Sequence, residues 1–152
     1  MAVFYLDTSA ILKRYRREQG TEVVDRLLLN PAPEDRFYTS FLSALEVRSA
    51  ISRLVRSGQL NQSLGEHSLA RFHEDTHRDI RLWPLDNSML SAALTVADRH
   101  GLRSGDAIHL ATAEVIFRLT SESDKVFVSS DRELLEAAVD SGMEVLDPQN
   151  PT

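Results

Sequence analysis

Four carboxylates stand where chemistry is a natural use for them. Asp7 follows directly on the apolar run Val3-Phe4-Tyr5-Leu6, and Asp131 follows Val126-Phe127-Val128-Ser129-Ser130 in the same way. Asp106 opens an alanine-rich apolar run, and Glu46 sits at the edge of the stripe formed by Ala44, Val47, Ala50, Ile51, Leu54 and Val55. In open α/β sheets, ligands bind in the crevice outside the carboxyl ends of the strands, so acids that end strands share an address. Each residue also has an ordinary reading. Asp7 and Asp131 can cap helices, Asp106 can complement a helix N-terminus, and Glu46 can be a solvated helical residue. As a group they say more: carboxylates crowded into one cleft raise one another's pKa unless a cation neutralises them. An all-oxygen set suits Mg²⁺ or Mn²⁺ rather than zinc. Such an ion makes hydroxide available from water and stabilises charge developing on a phosphodiester.

The elements that must carry these residues follow from periodicity. Apolar, β-prone runs predict strands over 3–6, 37–40, 80–83, 125–129 and 143–146. Helical spacing, bounded by Gly, Pro and capping residues, predicts helices over 10–17, 21–29, 42–57, 61–78, 87–100, 104–119 and 131–141. The run after Asp106 is apolar almost all round, which marks a buried central helix. The first helix carries Lys13, Arg14, Arg16 and Arg17, which are expected on its outer face. Strands alternating with helices imply a parallel sheet covered on both faces, a three-layer α/β/α sandwich. Residues 1–147 are expected to form one domain and 148–152 a C-terminal tail.

Composition limits the function classes. The chain has 152 residues, enough for one independent core that buries roughly 70% of its unfolded surface. With no cysteine there is no disulfide framework, thiolate nucleophile or Cys-based zinc site, which agrees with a cytoplasmic setting. No apolar stretch approaches a membrane span, and the N-terminal apolar run, broken at Asp7, does not read as a targeting signal. The formal charge of −6 should repel polyanions, so a nucleic-acid partner needs local basic patches or bound cations.

Four segments together resemble the PIN-domain ribonucleases, specifically the VapC-type toxins of bacterial toxin–antitoxin pairs. They are Tyr5-Leu6-Asp7-Thr8-Ser9-Ala10, the helical Glu46, the block from Leu102 through Ser104-Gly105-Asp106 to Ala113, and Val126-Phe127-Val128-Ser129-Ser130-Asp131. The resemblance covers nearly the whole chain in order, spacing and length. It implies Asp7 and Asp106 as chief Mg²⁺ ligands, with Glu46 and Asp131 completing the acidic set directly or through water. It also implies that Ser9 orients the first carboxylate and that Ser129 supplies the hydroxyl for which the family often has Thr. Gly105 departs from the bulkier residue often found before this Asp. The activity implied is endoribonuclease cleavage of RNA, leaving 5′-phosphate and 3′-hydroxyl ends. The partners implied are a small antitoxin, whose C-terminal segment covers the acidic cleft, and a second copy of the chain. Lys13, Arg14, Arg16, Arg17 and Arg48 are candidates for a basic rim that meets RNA; ordinary solubility is their other reading.

Other readings compete. His73-Glu74-Asp75-Thr76-His77 matches the H-E-x-x-H pattern of zinc proteases, but charged residues surround it and no third ligand is spaced for it. A phosphatase of the haloacid-dehalogenase type needs a second Asp two residues after the first, where this chain has Ser9. No Gly-rich loop ending in Lys-Ser or Lys-Thr exists, which excludes a P-loop NTPase. A degenerate PIN-like scaffold that only binds a protein partner is the non-enzymatic alternative. His109 reads as a packed, hydrogen-bonded residue.

Overall fold

The computed structural model describes residues 1–121 and 124–151. Thr152, the end of the expected tail, lies outside the described residues. The chain begins at the centre of its sheet. Strand β1 (Ala2–Leu6) alternates its side chains between two buried faces: Val3 and Tyr5 enter one core, Leu6 the other, with Phe4 packed against that second core. Burial on both faces is what a near-continuous apolar run encodes in a parallel strand.

The chain then runs outward. Helix α1 (Thr8–Ile11), a single 3₁₀ turn (Leu12–Arg14) and α2 (Thr21–Leu29) lead to β2 (Arg36–Ser40); α3 (Phe41–Arg56) and α4 (Gln62–Arg78) lead to β3 (Ile80–Trp83). Helices α5 (Asn87–His100) and α6 (Ser104–Leu119) cross back to β4 (Asp124–Val128), and α7 (Arg132–Asp140) leads out to β5 (Glu144–Leu146). All four strand pairings are parallel and the order is β3-β2-β1-β4-β5. The sequence order therefore reverses between β1 and β4, the point in such a sheet where a crevice opens.

Two cores sit on opposite sides of the sheet. Residues from α1 to α4, including Ile11, Val24, Val47, Ile51 and Phe72, pack on Leu6, Phe37, Ile80 and Val128. Residues from α5, α6 and α7, including Val96, Leu110, Ile116 and Leu134, pack on Val3, Tyr5, Tyr38 and Phe127. The α/β/α sandwich expected from the alternation of elements is the architecture found. Helix α6 is buried along Ala107, His109, Leu110, Ala111, Thr112, Ala113, Ile116 and Phe117, as its all-round apolar character requires.

Most boundaries agree with the sequence to within two residues. The exception is the helix expected over 10–17, which is one α-helical turn beginning at Thr8 and a 3₁₀ turn ending at Arg14. It starts early because the Asp7 side chain accepts the Ala10 N–H, and it tightens because the Tyr15 N–H bonds the Leu12 carbonyl only three residues back. The tightened turn carries basic residues inward. Pro148 is buried against Gly20; at φ of +93°, a Cβ on Gly20 would stand 2.8 Å from the Pro148 carbonyl oxygen, so only glycine fits there. Among the described residues no helix is long and apolar enough to cross a membrane.

Candidate active site

Asp7 leaves the end of β1 and is only 3% exposed. Both carboxylate oxygens are held. Oδ1 accepts from Ser9 Oγ at 2.8 Å and from the Ala10 N–H at 2.9 Å, while Oδ2 accepts from Ser129 Oγ at 2.7 Å and lies 2.9 Å from Ser9 Oγ. The same two hydroxyls accept from the neighbouring strand end, Ser9 Oγ from the Ser130 N–H at 2.9 Å and Ser129 Oγ from the Asp131 N–H at 3.0 Å. Because β1 and β4 are parallel neighbours, their ends emerge side by side, and this hydroxyl pair stitches them together. Asp131 in turn caps α7, its Oδ1 accepting the Leu134 N–H at 3.0 Å. The capping readings of Asp7 and Asp131 are thus both true, and both residues still lie at the sheet edge.

Glu46 lies in α3, its side chain 39% exposed. Oε1 accepts from Thr8 Oγ1 at 2.8 Å and pairs with His109 Nε2 at 2.8 Å. Asp106, in the first turn of α6, accepts no hydrogen bond among the described residues. Its carboxyl is pushed above the ordinary range, first by its own desolvation and then by the charges of Asp131 and Asp7; His109 opposes this and Glu46 adds to it. Burial likewise raises Asp7, against the lowering pull of His109, Ser129, Ala10 and Ser9. Burial also acts to raise Glu46, but hydrogen bonds from His109 and Thr8 outweigh it and hold that carboxyl below the ordinary range.

The four acids are therefore brought to one edge with Asp106 facing the other three electrostatically, and no Lys or Arg pairs with Asp7, Asp106 or Asp131 among the described residues. No three His, Asp or Glu side chains of those residues are gathered tightly enough to be a ready-made metal cage. An all-oxygen donor set with surplus negative charge fits a hard divalent cation that keeps several waters better than one needing a closed cage.

The basic rim needs correction. Lys13 is only 2% exposed and pairs with Glu18 at 3.2 Å. Arg14 donates from Nε to Asp75 at 2.7 Å and from Nη1 to Asp25 at 3.1 Å. Neither is free to meet RNA, because the 3₁₀ turn carries both into the protein. Arg16, Arg17 and Arg48 are exposed, but Arg48 is two residues beyond Glu46 and so about 200° round α3 from it. The H-E-x-x-H segment dissolves in a similar way: Asp75 belongs to the Arg14 cluster, while Glu74 pairs with Arg78 on an exposed face. Thr8, Tyr5 and the linking role of His109 escaped sequence reasoning. The available signal was the spacing of Asp106 and His109, three residues apart on one helical face.

A parallel sheet with order 3-2-1-4-5, covered by helices on both faces and carrying acids where β1 and β4 end, defines the class of protein. Residues 4–140 match the PIN domain family, and the chain belongs to it. Ribonuclease VapC46 of Mycobacterium tuberculosis (strain ATCC 25618 / H37Rv) is 34% identical over 149 residues, spanning 97% of this chain and 99% of that protein. Among solved structures, PAE2754 from Pyrobaculum aerophilum superposes with a TM-score of 0.66 at 19% identity, covering 97% of this chain and 90% of that one. A toxin–antitoxin complex from Klebsiella pneumoniae gives 0.56 at 14% identity, with coverage of 86% and 87%.

Proposed function

We propose that this chain is a divalent-metal-dependent endoribonuclease and the toxin of a toxin–antitoxin pair. The observation that carries the reading is the carboxylate group around Asp106, with no Lys or Arg paired to Asp7, Asp106 or Asp131 among the described residues, in a chain 34% identical over almost its whole length to Ribonuclease VapC46. Asp7 and Asp106 would hold Mg²⁺ or Mn²⁺, with Glu46 and Asp131 completing the set directly or through water. When bound, the ion supplies a lowered pKa for water and charge stabilisation for a phosphodiester undergoing in-line attack.

The protein's own residues prepare that site. Ser9, Ser129 and the Ala10 N–H fix the Asp7 carboxylate in one orientation at the end of β1. Burial in turn disfavours a charged Asp7 without a cation. The products of attack at phosphorus with departure of the ribose 3′-oxygen are 5′-phosphate and 3′-hydroxyl ends. A small antitoxin covering the acidic cleft and a homodimer of the chain complete the proposal. A short reading frame next to the gene would support the first, and a molar mass of two chains by light scattering the second.

Controlled expression of wild type and Asp7→Asn, with mapping of new RNA 5′ ends, tests the activity. Discrete new ends with wild type, lost in folded Asp7→Asn, are expected. Equal cleavage by the two would remove the site assignment, and no cleavage by either would favour the binding-only scaffold.

A further inference from the structure

The cleft is backed by a buried polar chain that the acidic residues alone do not require. Tyr5, wholly buried in β1, accepts the Ser40 N–H at 3.2 Å, and its hydroxyl shares a 2.7 Å hydrogen bond with His109 Nδ1. The Tyr5 ring is itself stacked on Phe127 at 5.4 Å between centroids. At the other side of the imidazole, Nε2 lies 2.8 Å from Glu46 Oε1, which also accepts from Thr8 Oγ1 at 2.8 Å. A carboxylate oxygen only accepts, so Nε2 carries the proton and donates, whichever direction the bond to Tyr5 takes.

Glutamate has three rotatable side-chain bonds, and on a half-exposed helix face they would sample several rotamers. Two donors converging on Oε1 remove that freedom. Among the described residues no hydrogen bond reaches Oε2, which lies 3.8 Å from where a Cβ on Gly105 would stand, beside Asp106 in the first turn of α6. His109 is 3% exposed, so it cannot touch RNA itself.

We infer that His109 is a positioning residue: held by Tyr5, its imidazole fixes Oε1 of Glu46 and leaves Oε2 as the oxygen offered to the acidic cleft. This deepens the endoribonuclease reading and rests on it for its catalytic consequence. Its structural content, the placement of one carboxylate for a cation, stands apart from cleavage.

The test compares wild type, His109→Phe, His109→Gln, Glu46→Gln and the double variant His109→Phe/Glu46→Gln. Mn²⁺ binding to the RNA-free protein is read by titration calorimetry, and kcat and KM by cleavage of a short RNA. His109→Phe should weaken Mn²⁺ binding and lower kcat by about tenfold each, with KM little changed, the scale on which groups that orient metal-site ligands act. His109→Gln, which retains an N–H donor, should recover most of the loss. The double variant should be no worse than Glu46→Gln, since the histidine acts only through that carboxylate.

Mn²⁺ affinity in His109→Phe equal to that of wild type would overturn the inference, as would losses that multiply in the double variant. Should His109→Phe fail to fold, Tyr5→Phe, which removes the hydroxyl behind the imidazole together with the acceptor of the Ser40 N–H, is put through the same measurements: weaker Mn²⁺ binding, absent when Glu46 is already Gln, is expected, and Mn²⁺ affinity equal to that of wild type would overturn the inference. Failure of the endoribonuclease reading has its own signature: Mn²⁺ binding that depends on Asp7 and Glu46 without any RNA cleavage.

Discussion

Asp106 is the residue on which the electrostatics of the cleft converge, and its ionisation destabilises the metal-free fold. Its folded-state pKa, like that of Asp7, lies above the ordinary value. Between the unfolded and folded pKa the native state binds more protons, so these two groups lower stability as pH rises through that window and hold it down above it. Asp106→Asn removes this charge. It should raise the unfolding temperature in chelator at pH 7 by about 2 °C while abolishing metal-dependent cleavage, measured by thermal unfolding beside an RNA assay. Added Mn²⁺ should raise the wild-type midpoint and leave that of Asp106→Asn nearly unmoved. Glu46 behaves oppositely. Its lowered carboxyl contributes stability that is present above the unfolded pKa and lost as pH falls through the folded value.

At the scale of elements, the short α1 region and α4 are clamped by charge as well as by apolar packing. Arg14 and Tyr15 both donate to Asp75 Oδ2, at 2.7 Å each, across 60 or so residues of chain. Burial acts to raise Asp75, but the bonds from Arg14 and Tyr15 outweigh it and hold the carboxyl below its usual range. The clamp therefore persists at neutral pH and fails only below the ordinary carboxylate range. Asp75→Ala leaves a buried guanidinium without its main partner and should cost about 3 kcal/mol in urea unfolding, with cleavage per folded molecule retained. The element boundaries around this clamp were legible because they are local. Asn61 and Asp86 cap α4 and α5 through their own side chains, and Gly101 ends α5 in the left-handed region. The inward turn of Arg14 was not legible, because its partners Asp75 and Asp25 lie on other helices, and a basic residue at helical spacing reads as solvent-facing until its partner is placed; Lys13, paired with the nearby Glu18, is carried inward by the same turn.

For the molecule as a whole, the net charge is −6, and the internal pairing of Lys13 and Arg14 takes two of the expected cations away from RNA. RNA affinity should then lean on the cation rather than on a lysine-rich rim. Exchanging Ca²⁺ for chelator is expected to weaken RNA binding by the wild type about tenfold, read by fluorescence anisotropy at fixed ionic strength. Arg48→Glu should change that affinity by less than about threefold, because its side chain lies well round α3 from Glu46. The parallel sheet, buried on both faces, was foreseeable at this scale from strands alternating with helices. The order of its strands was not.

By itself the sequence determined what depends on neighbours along the chain: which segments are strands or helices, where they are capped, and which acids end them. Periodicity and capping act over a few residues, so they can be read without the fold. Only the tertiary structure decided that β4 returns beside β1, and with it that Ser129 reaches Asp7 from 122 positions away. The fold likewise decided that Tyr5, His109, Thr8 and Glu46 form one chain of hydrogen bonds, and that two expected RNA-binding cations are internal. These contacts depend on which buried surfaces meet, a choice made by packing across the whole molecule rather than by any stretch of it.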